Sequence, residues 1–546
     1  MASDREIITV QLGSASNFVG AHWWNIQESS FVFDRTVAEK DETRLNHDVL
    51  FREGKNVNNK TTFTPRLVTI DYTDNVGRTN LSRNLYPEFT SAKNRSDNFG
   101  LSATVVTQSF RPNNEFLSDL EAEEKTHENS VGPSRKARIE EKSYYLDDVV
   151  SLWTDYLRVP FHPKSLLTCE TLNSYGEMSR FDAGESLCKD GKLIDEFENR
   201  LRFFAEDSNC LQGFHLLCDI HDGMAGITAE IAEYIRDEYP RNAVLAVPIF
   251  PSDLILRAAC DQDQYVWNSC NGLASLSSHC TVVLPLSMAG RIWKRMTDMR
   301  QFRFLNYKPS LAYHTGAILA AALETATTPW RRRANFEHLS HVCDVLTFDG
   351  RKLASMSMAF PLGVDETRTL VEFVKGDDIP VSVTPYVDGV LEEDQTTRVP
   401  RMLKLSMRGI KNVPLQKSGA FDSNIGLAGR VASEIMIERY KSLATSVSAG
   451  VVYEPIYSTA PYPHIFDDAI GKHGLVRIGG RPKGQVVATV PTLTWVESTP
   501  RISQFVNAAM EEVGRLNWQK LKVEKDNVDH VISSLHTLGE PFCSSN

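Results

Sequence analysis

Alternation of apolar and polar positions begins almost at the start of the chain. Residues 6–12 (Glu-Ile-Ile-Thr-Val-Gln-Leu) are rich in β-branched residues and predict a strand. They run through Gly13-Ser-Ala-Ser-Asn-Phe-Val-Gly20, read as a loop, into a helix carrying Trp23 and Trp24. Pro65-Arg-Leu-Val-Thr-Ile-Asp71 predicts a second strand that ends on an acid. From about Arg111 to Ser143 the chain turns polar, and between Glu121 and Ser143 the branched apolar residues are Val131 and Ile139 alone, which predicts a flexible surface insertion. Leu146, Val149, Val150, Trp153 and Leu157 then fall at helical spacing and predict an amphipathic helix stopped by Pro160 and Pro163.

The densest pattern follows. Gly213 to Ile220 reads as a strand, His221-Asp-Gly-Met-Ala-Gly226 as a tight loop, Thr228 to Tyr239 as a helix ended by Pro240, and Asn242 to Phe250 as a buried strand. Strand, loop, helix, strand is the repeating unit of a parallel sheet covered by helices. Leu311 to Thr328 is small and apolar on nearly every face, as a helix buried between domains would be, with Pro329 as its stop. Beyond about residue 350 come a strand at Met402–Met407, a helix from Ile425 to Ser442, and an amphipathic helix with Ile502, Phe505, Val506, Ala509, Val513 and Leu516 inward. The expected layout is an α/β domain over 1–328, an α+β middle domain over 329–420 and a C-terminal helical region over 421–546.

Charge narrows the partners. The chain has 546 residues with 59 Lys and Arg against 70 Asp and Glu, a net charge of −11, so no global field draws nucleic acid. The longest basic run is Arg331-Arg332-Arg333, and Arg135-Lys136-Ala137-Arg138 is followed by Glu140 and Glu141, as in a solvated mixed-charge face. Nine cysteines, an odd number, argue for a reducing compartment. The start of the chain lacks the apolar core of a secretion signal and the Arg-rich character of a presequence. No stretch reaches the ~18 apolar residues of a membrane span. A cytoplasmic protein with at most peripheral membrane contact is therefore expected.

Candidate chemistry is sparse. Gly13 to Gly20 could present helix-terminal amides to a phosphate, yet no Gly-Lys-Ser/Thr follows, and a structural turn explains the glycines equally well. Cys218-Asp219-Ile220-His221-Asp222-Gly223 sits where a strand gives way to a helix; two carboxylates around an imidazole could serve acid–base chemistry or a metal, but a turn-and-cap role for Asp222 is the simpler reading. Cys260, Cys270 and Cys280 recur every ten residues, without the close pairing of zinc ligands. No metal site is expected.

Taken together, these segments resemble the tubulin/FtsZ superfamily. Arg5 to Gly13 followed by Asn17, Gly20, Ala21 and Trp24 is similar to the tubulin opening, with GSASNFVG standing where tubulin has GQCGNQIG, and Leu211-Gln-Gly-Phe214 is similar to the LQGF before the tubulin phosphate loop. The wording of Asn17 to Asn25, of Leu152 to Val159 with His162-Pro163, of Leu211 to Gly223 and of Ala460 to Phe466 resembles the Misato family more closely. The resemblance implies a tubulin-like parallel-sheet domain with a nucleotide cleft formed by Gly13, Ser14, Asn17, Asp71, Gly223 and Gly226.

Departures from tubulin bear on that cleft. The phosphate loop GGGTGSG aligns with His221 to Ile227, which places Asp222 where a triphosphate would lie and Met224 in place of a hydroxyl. Two anions ~4 Å apart at a semi-buried site repel by the order of a few kcal/mol. The residues aligned with the base- and phosphate-contacting Gln and Cys are Ser14 and Ala15, those aligned with the magnesium-associated acid and guanine-reading Asn are Thr73 and Leu286, and Ser340 stands at about the activating acid, after Asn335-Phe-Glu337. The resemblance thus implies a vestigial site: no catalytic residue, no metal, no bound cofactor, GTP binding being the less favoured outcome. It further implies a role in mitochondrial distribution and morphology, peripheral on the outer mitochondrial membrane, with outer-surface proteins as partners. The alternative is a cytoskeletal factor acting with tubulin or the cytosolic chaperonin in spindle assembly, and the further alternative an active GTPase. A tail that ends Gly539-Glu-Pro-Phe-Cys-Ser-Ser-Asn546 rather than in an acidic extension makes a microtubule-lattice role the less expected one.

Overall fold

The computed structural model describes residues 5–31, 44–55, 61–77, 113–127, 139, 142–169, 178–252, 261–294, 298–364, 370–376, 380–388, 401–410, 425–441 and 444–542. Cys260, Cys543 and the Arg135–Arg138 run lie outside them.

The first strand, β1 (Ile7–Leu12), is buried along its whole length and leads through Gly13 directly into α1 (Ser14–Ser29). The helix therefore starts one residue after the strand, and Gly20 lies inside it rather than in a loop. After a hairpin of Phe51–Lys55 and Thr61–Pro65 comes β2 (Leu67–Tyr72). Residues 113–127, expected to belong to a flexible insertion, include α2 (Glu115–His127), whose Phe116, Leu117 and Leu120 are buried in the core. A sparse apolar content was enough there because three consecutive-turn residues share one face.

The predicted helix over 146–157 does not form; the chain makes a turn and then a short 3-10 segment, Trp153–Tyr156. Asp155 accepts the amides of Ser151 and Leu152, both at 2.9 Å, and holds Leu152 extended. Trp153 is drawn inward to bond Asp71, so tertiary hydrogen bonds override the helical spacing.

Beyond this lie β3 (Leu166–Cys169), α3 (Phe181–Lys189), α4 (Lys192–Glu206), β4 (Gly213–Asp219), α5 (Met224–Glu238), β5 (Ala243–Phe250), α6 (Gln262–His279) and the short strands β6 (Val282–Val283) and β7 (Leu286–Ser287). The sheet runs β3-β2-β1-β4-β5-β6 with β7 also on β5, and every pairing is parallel. The α/β class with a parallel sheet is as expected. Connections leave β1 and β4 in opposite directions, so the crevice beyond their carboxyl ends is the switch point where open α/β sheets bind ligands.

The core helix α7 (Ala312–Ala326) is buried on all faces from Tyr313 to Ala326 and packs along α1. Pro329 does not end it alone: Thr327 caps it, and Pro329 opens a one-turn helix, α8 (Thr328–Arg331). After α9 (Leu339–Leu346), a second sheet forms from β8 (Ser355–Ala359), β9 (Val381–Ser382), β10 (Met402–Arg408), β11 (Ser446–Val452) and β12 (Thr492–Ser498), in the order β9-β8-β12-β10-β11. Because β12 lies between β8 and β10, residues on both sides of position 420 build one sheet, and the line drawn there from sequence falls inside a folding unit. The helix α10 (Ile425–Tyr440) covers this sheet, with Ala432, Met436 and Tyr440 in its core. Helices α11 (Ser503–Gly514) and α12 (Lys525–Gly539) return to pack on α6, sharing a core with Cys270, Trp267 and Trp293.

Among the described residues no helix is long and apolar enough to cross a membrane.

Candidate functional site

The crevice at the switch point is built from the ends of β1, β2 and β4 and the helices that follow β1 and β4. Gly13 turns the chain from β1 into α1 at φ 96°, a conformation open to glycine and strained for other residues. A Cβ on Gly13 would stand 2.5 Å from Asp219 Oδ2, so the crossing also needs the missing side chain. Ser14 is half-buried at the first position of α1.

Asp219, the last residue of β4, is 2% exposed and fills the N-terminus of α1. The amides of Ala15 and Ser16 donate to its two carboxylate oxygens, each at 2.8 Å, and Ser16 Oγ donates at 2.6 Å. The α1 N-cap is Gly13, which has no side chain to offer, so a carboxylate from a neighbouring strand does the capping. Burial pushes the Asp219 carboxyl up to about 7, against the opposing pull of His221 and the donors from α1.

Asn17 and Asp71 form the second knot. Asn17 Nδ2 donates to Asp71 at 2.9 Å and its Oδ1 accepts from Thr69 Oγ1 at 2.6 Å. Asp71 also accepts from Trp153 Nε1 and Asn75 Nδ2, each at 2.9 Å, and from the Tyr72 amide at 2.8 Å. Burial nevertheless prevails over these donors and raises Asp71 to about 6. Tyr72 is pushed well above its ordinary value, first by burial and then by Asp222 and other anions of the crevice.

The loop before α5 is turned inward on itself. Asp222 is half-exposed and its Oδ1 accepts the Met224 amide at 2.9 Å, the cap-and-turn role expected of it. The Gly223 amide donates to Met178 O at 2.8 Å, Ala225 to Asp222 O at 3.0 Å and Gly226 to Gly223 O at 3.1 Å. Gly223 and Gly226 serve close packing under α3: a Cβ on Gly223 would meet Met178 O at 2.5 Å, and one on Gly226 would meet Phe181 O at 2.1 Å. Asn268 of α6 ties the same region together, donating to His221 O at 3.0 Å and Ser179 O at 2.7 Å and accepting the Phe181 amide at 3.0 Å. Met224 is fully buried in the core behind the loop.

The structure thus brings all six sequence-derived positions to one crevice, in two knots and one packed loop. The other aligned positions scatter. Thr73 donates to Cys169 O at 3.2 Å, Leu286 is buried in β7, Ser340 is exposed on α9, and Glu337 pairs with Lys404 at 2.5 Å. Sequence reasoning placed the critical anion at Asp222 and missed the role of Asp219, as well as Ser16, Trp153 and Asn268. The signal for Asp219 was present: a carboxylate ending the strand beside a helix whose own N-cap is glycine. Among the described residues no group of His, Cys, Asp and Glu is placed to hold a metal ion. Cys270 and Cys280 are buried thiols, Cys280 being pushed up to about 12 by burial.

Comparison with known proteins agrees with this architecture. A family model described as Misato Segment II tubulin-like domain matches residues 5–122, and one described as Tubulin domain matches residues 144–332. Protein misato homolog 1 of Mus musculus is 29% identical over 570 residues, which cover 98% of this chain and 98% of its own. Protein misato of Drosophila melanogaster is 27% identical over 585 residues, covering 99% of each chain. Protein misato homolog 1 of Danio rerio is 28% identical over 547 residues, covering 91% of this chain and 89% of its own.

Proposed function

The chain belongs to the Misato family of tubulin-like proteins, and from that premise we propose that it is a non-enzymatic member with a degenerate nucleotide cleft, acting in mitochondrial distribution and morphology. The observation that carries the first half is the loop before α5. A phosphate loop works by leaving successive amides free to point at oxygens. Here the amides of Gly223, Met224, Ala225 and Gly226 all donate within the chain. The glycines that would let a phosphate approach are instead walled by Met178 and Phe181. Asp71 and Asp222 add negative charge around the same crevice, opposing a polyanion.

The second half rests on what the family resemblance implies. A cytoplasmic protein that touches the outer mitochondrial surface through protein partners is the corresponding location, and the described helices, none of which could span a membrane, are compatible with peripheral attachment.

Two measurements test the reading. Isothermal titration of the full chain with GTP and magnesium is expected to give no binding; micromolar, magnesium-dependent binding overturns the degenerate cleft. Affinity purification is expected to recover mitochondrial outer-surface proteins. Recovery of tubulin and chaperonin subunits without them would replace the mitochondrial role with the cytoskeletal one.

A further inference from the structure

At the N-terminus of α1 two successive amides and a hydroxyl converge on a single carboxyl group, and that group is the chain's own Asp219. The backbone at Gly13 approaches it so closely that even a methyl group could not be placed between them. His221, two residues further on, is 9% exposed, its Nδ1 is buried without a hydrogen-bond partner, and a charge on its ring would favour the Asp219 carboxylate. Adjacent helix-terminal amides, a hydroxyl, the positive end of a 16-residue helix and an imidazole compose a donor set suited to a phosphate oxyanion. The position is also the switch point of the sheet, beyond the carboxyl ends of β1 and β4, where open α/β sheets bind ligands.

Building on the reading of the cleft as one that takes no nucleotide, we propose that Asp219 is a built-in occupant of a phosphate-type oxyanion site, tying α1 to β4 as a bound phosphate would, and that removing its carboxylate lets an inorganic oxyanion enter. Asp71 and Asp222 remain nearby and oppose the newcomer, so its binding belongs in the millimolar range. His221 becomes the side chain that contacts it.

The test is thermal unfolding of the full chain and of Asp219→Ser, with and without millimolar inorganic pyrophosphate and against sodium chloride of matched ionic strength. The wild-type midpoint is expected to ignore pyrophosphate. Asp219→Ser should unfold several degrees lower and recover a good part of that loss in pyrophosphate but not in chloride, and adding His221→Ala should abolish the recovery. An unshifted midpoint for Asp219→Ser, recovery in chloride alone, or an equal response of the wild type overturns the proposal. Should Asp219→Ser fail to fold, Asp219→Asn keeps the size and one acceptor oxygen, and hydrogen exchange supplies the readout. The Ala15 and Ser16 amides are expected to exchange at least tenfold faster, and unchanged protection overturns the proposal. Failure in these arms while the wild type still ignores GTP leaves the degenerate cleft standing; GTP binding by the wild type removes that reading itself.

Discussion

At the residue scale, buried carboxylates in this protein are settled by what donates to them. Asp71 has four donors and yet its carboxyl is raised, because removal from water outweighs them. The sign of the resulting pH dependence follows. A folded-state value of about 6 against the ordinary 3.8 means that between these values the folded chain holds a proton the unfolded chain has lost. The stability advantage of wild type over Asp71→Asn should therefore fall as pH rises from about 4 to about 6 and stay level above, by no more than about 3 kcal/mol. Urea denaturation across that window measures it. An advantage that grows with pH would mean that the donors prevail over burial.

The six crevice positions were legible because glycine, asparagine and aspartate leave distinct traces at strand ends. Their partners were not, since the Asn17–Asp71–Trp153 contact joins residues 54 and 82 positions apart.

At the element scale, α3 and α5 touch through glycines. A Cβ on Gly226 would lie 2.1 Å from Phe181 O and 2.5 Å from Glu185 N, both backbone atoms that cannot swing aside. Gly226→Ala should then cost about 1–3 kcal/mol by forcing the helices apart, despite the higher helix propensity of alanine. The midpoint of denaturant unfolding reads this, and a stabilised variant would show that propensity outweighs the contact. The same scale accounts for the two elements misread from sequence. Residues 146–157 carry a helical apolar period but answer to Asp155, which accepts the Ser151 and Leu152 amides, and to the pull of Asp71 on Trp153. Residues 115–127 look polar in composition, yet three buried side chains suffice to seat them. Strands β1, β4 and β5 and helices α7 and α11 followed their periodicity closely, because each buries a whole face or all faces.

At the scale of the whole molecule, the two sheets are joined by a fully buried charged cluster. Glu324 of α7 accepts from Arg331 of α8 at 2.6 Å, from Trp23 of α1 at 2.8 Å, and from Arg408 of β10, while Arg331 also donates to Gln27 at 3.0 Å. Four elements from both halves of the chain thus meet on one carboxylate. Arg331, the head of the longest basic run, is 0% exposed and unavailable to nucleic acid. Replacing one partner of such a cluster leaves uncompensated charge in the interior, so Glu324→Ala should destabilise the protein by about 3–5 kcal/mol. Calorimetric unfolding of the full chain measures this, and a loss under about 1 kcal/mol would show the arginines finding other acceptors.

The sequence by itself determined the parallel α/β class and the strands β1, β2, β4 and β5 with the glycines and acids at their ends, since these follow from local periodicity and strand-end punctuation. Tertiary structure alone decided what fills the crevice. Whether an amide faces outward or inward depends on which distant carbonyl or carboxylate comes within 3 Å of it. Asp219 reaches α1 across some 200 residues of chain, and Met178 reaches the loop before α5 from the turn that precedes α3. The folding of the sheet brings those meetings about.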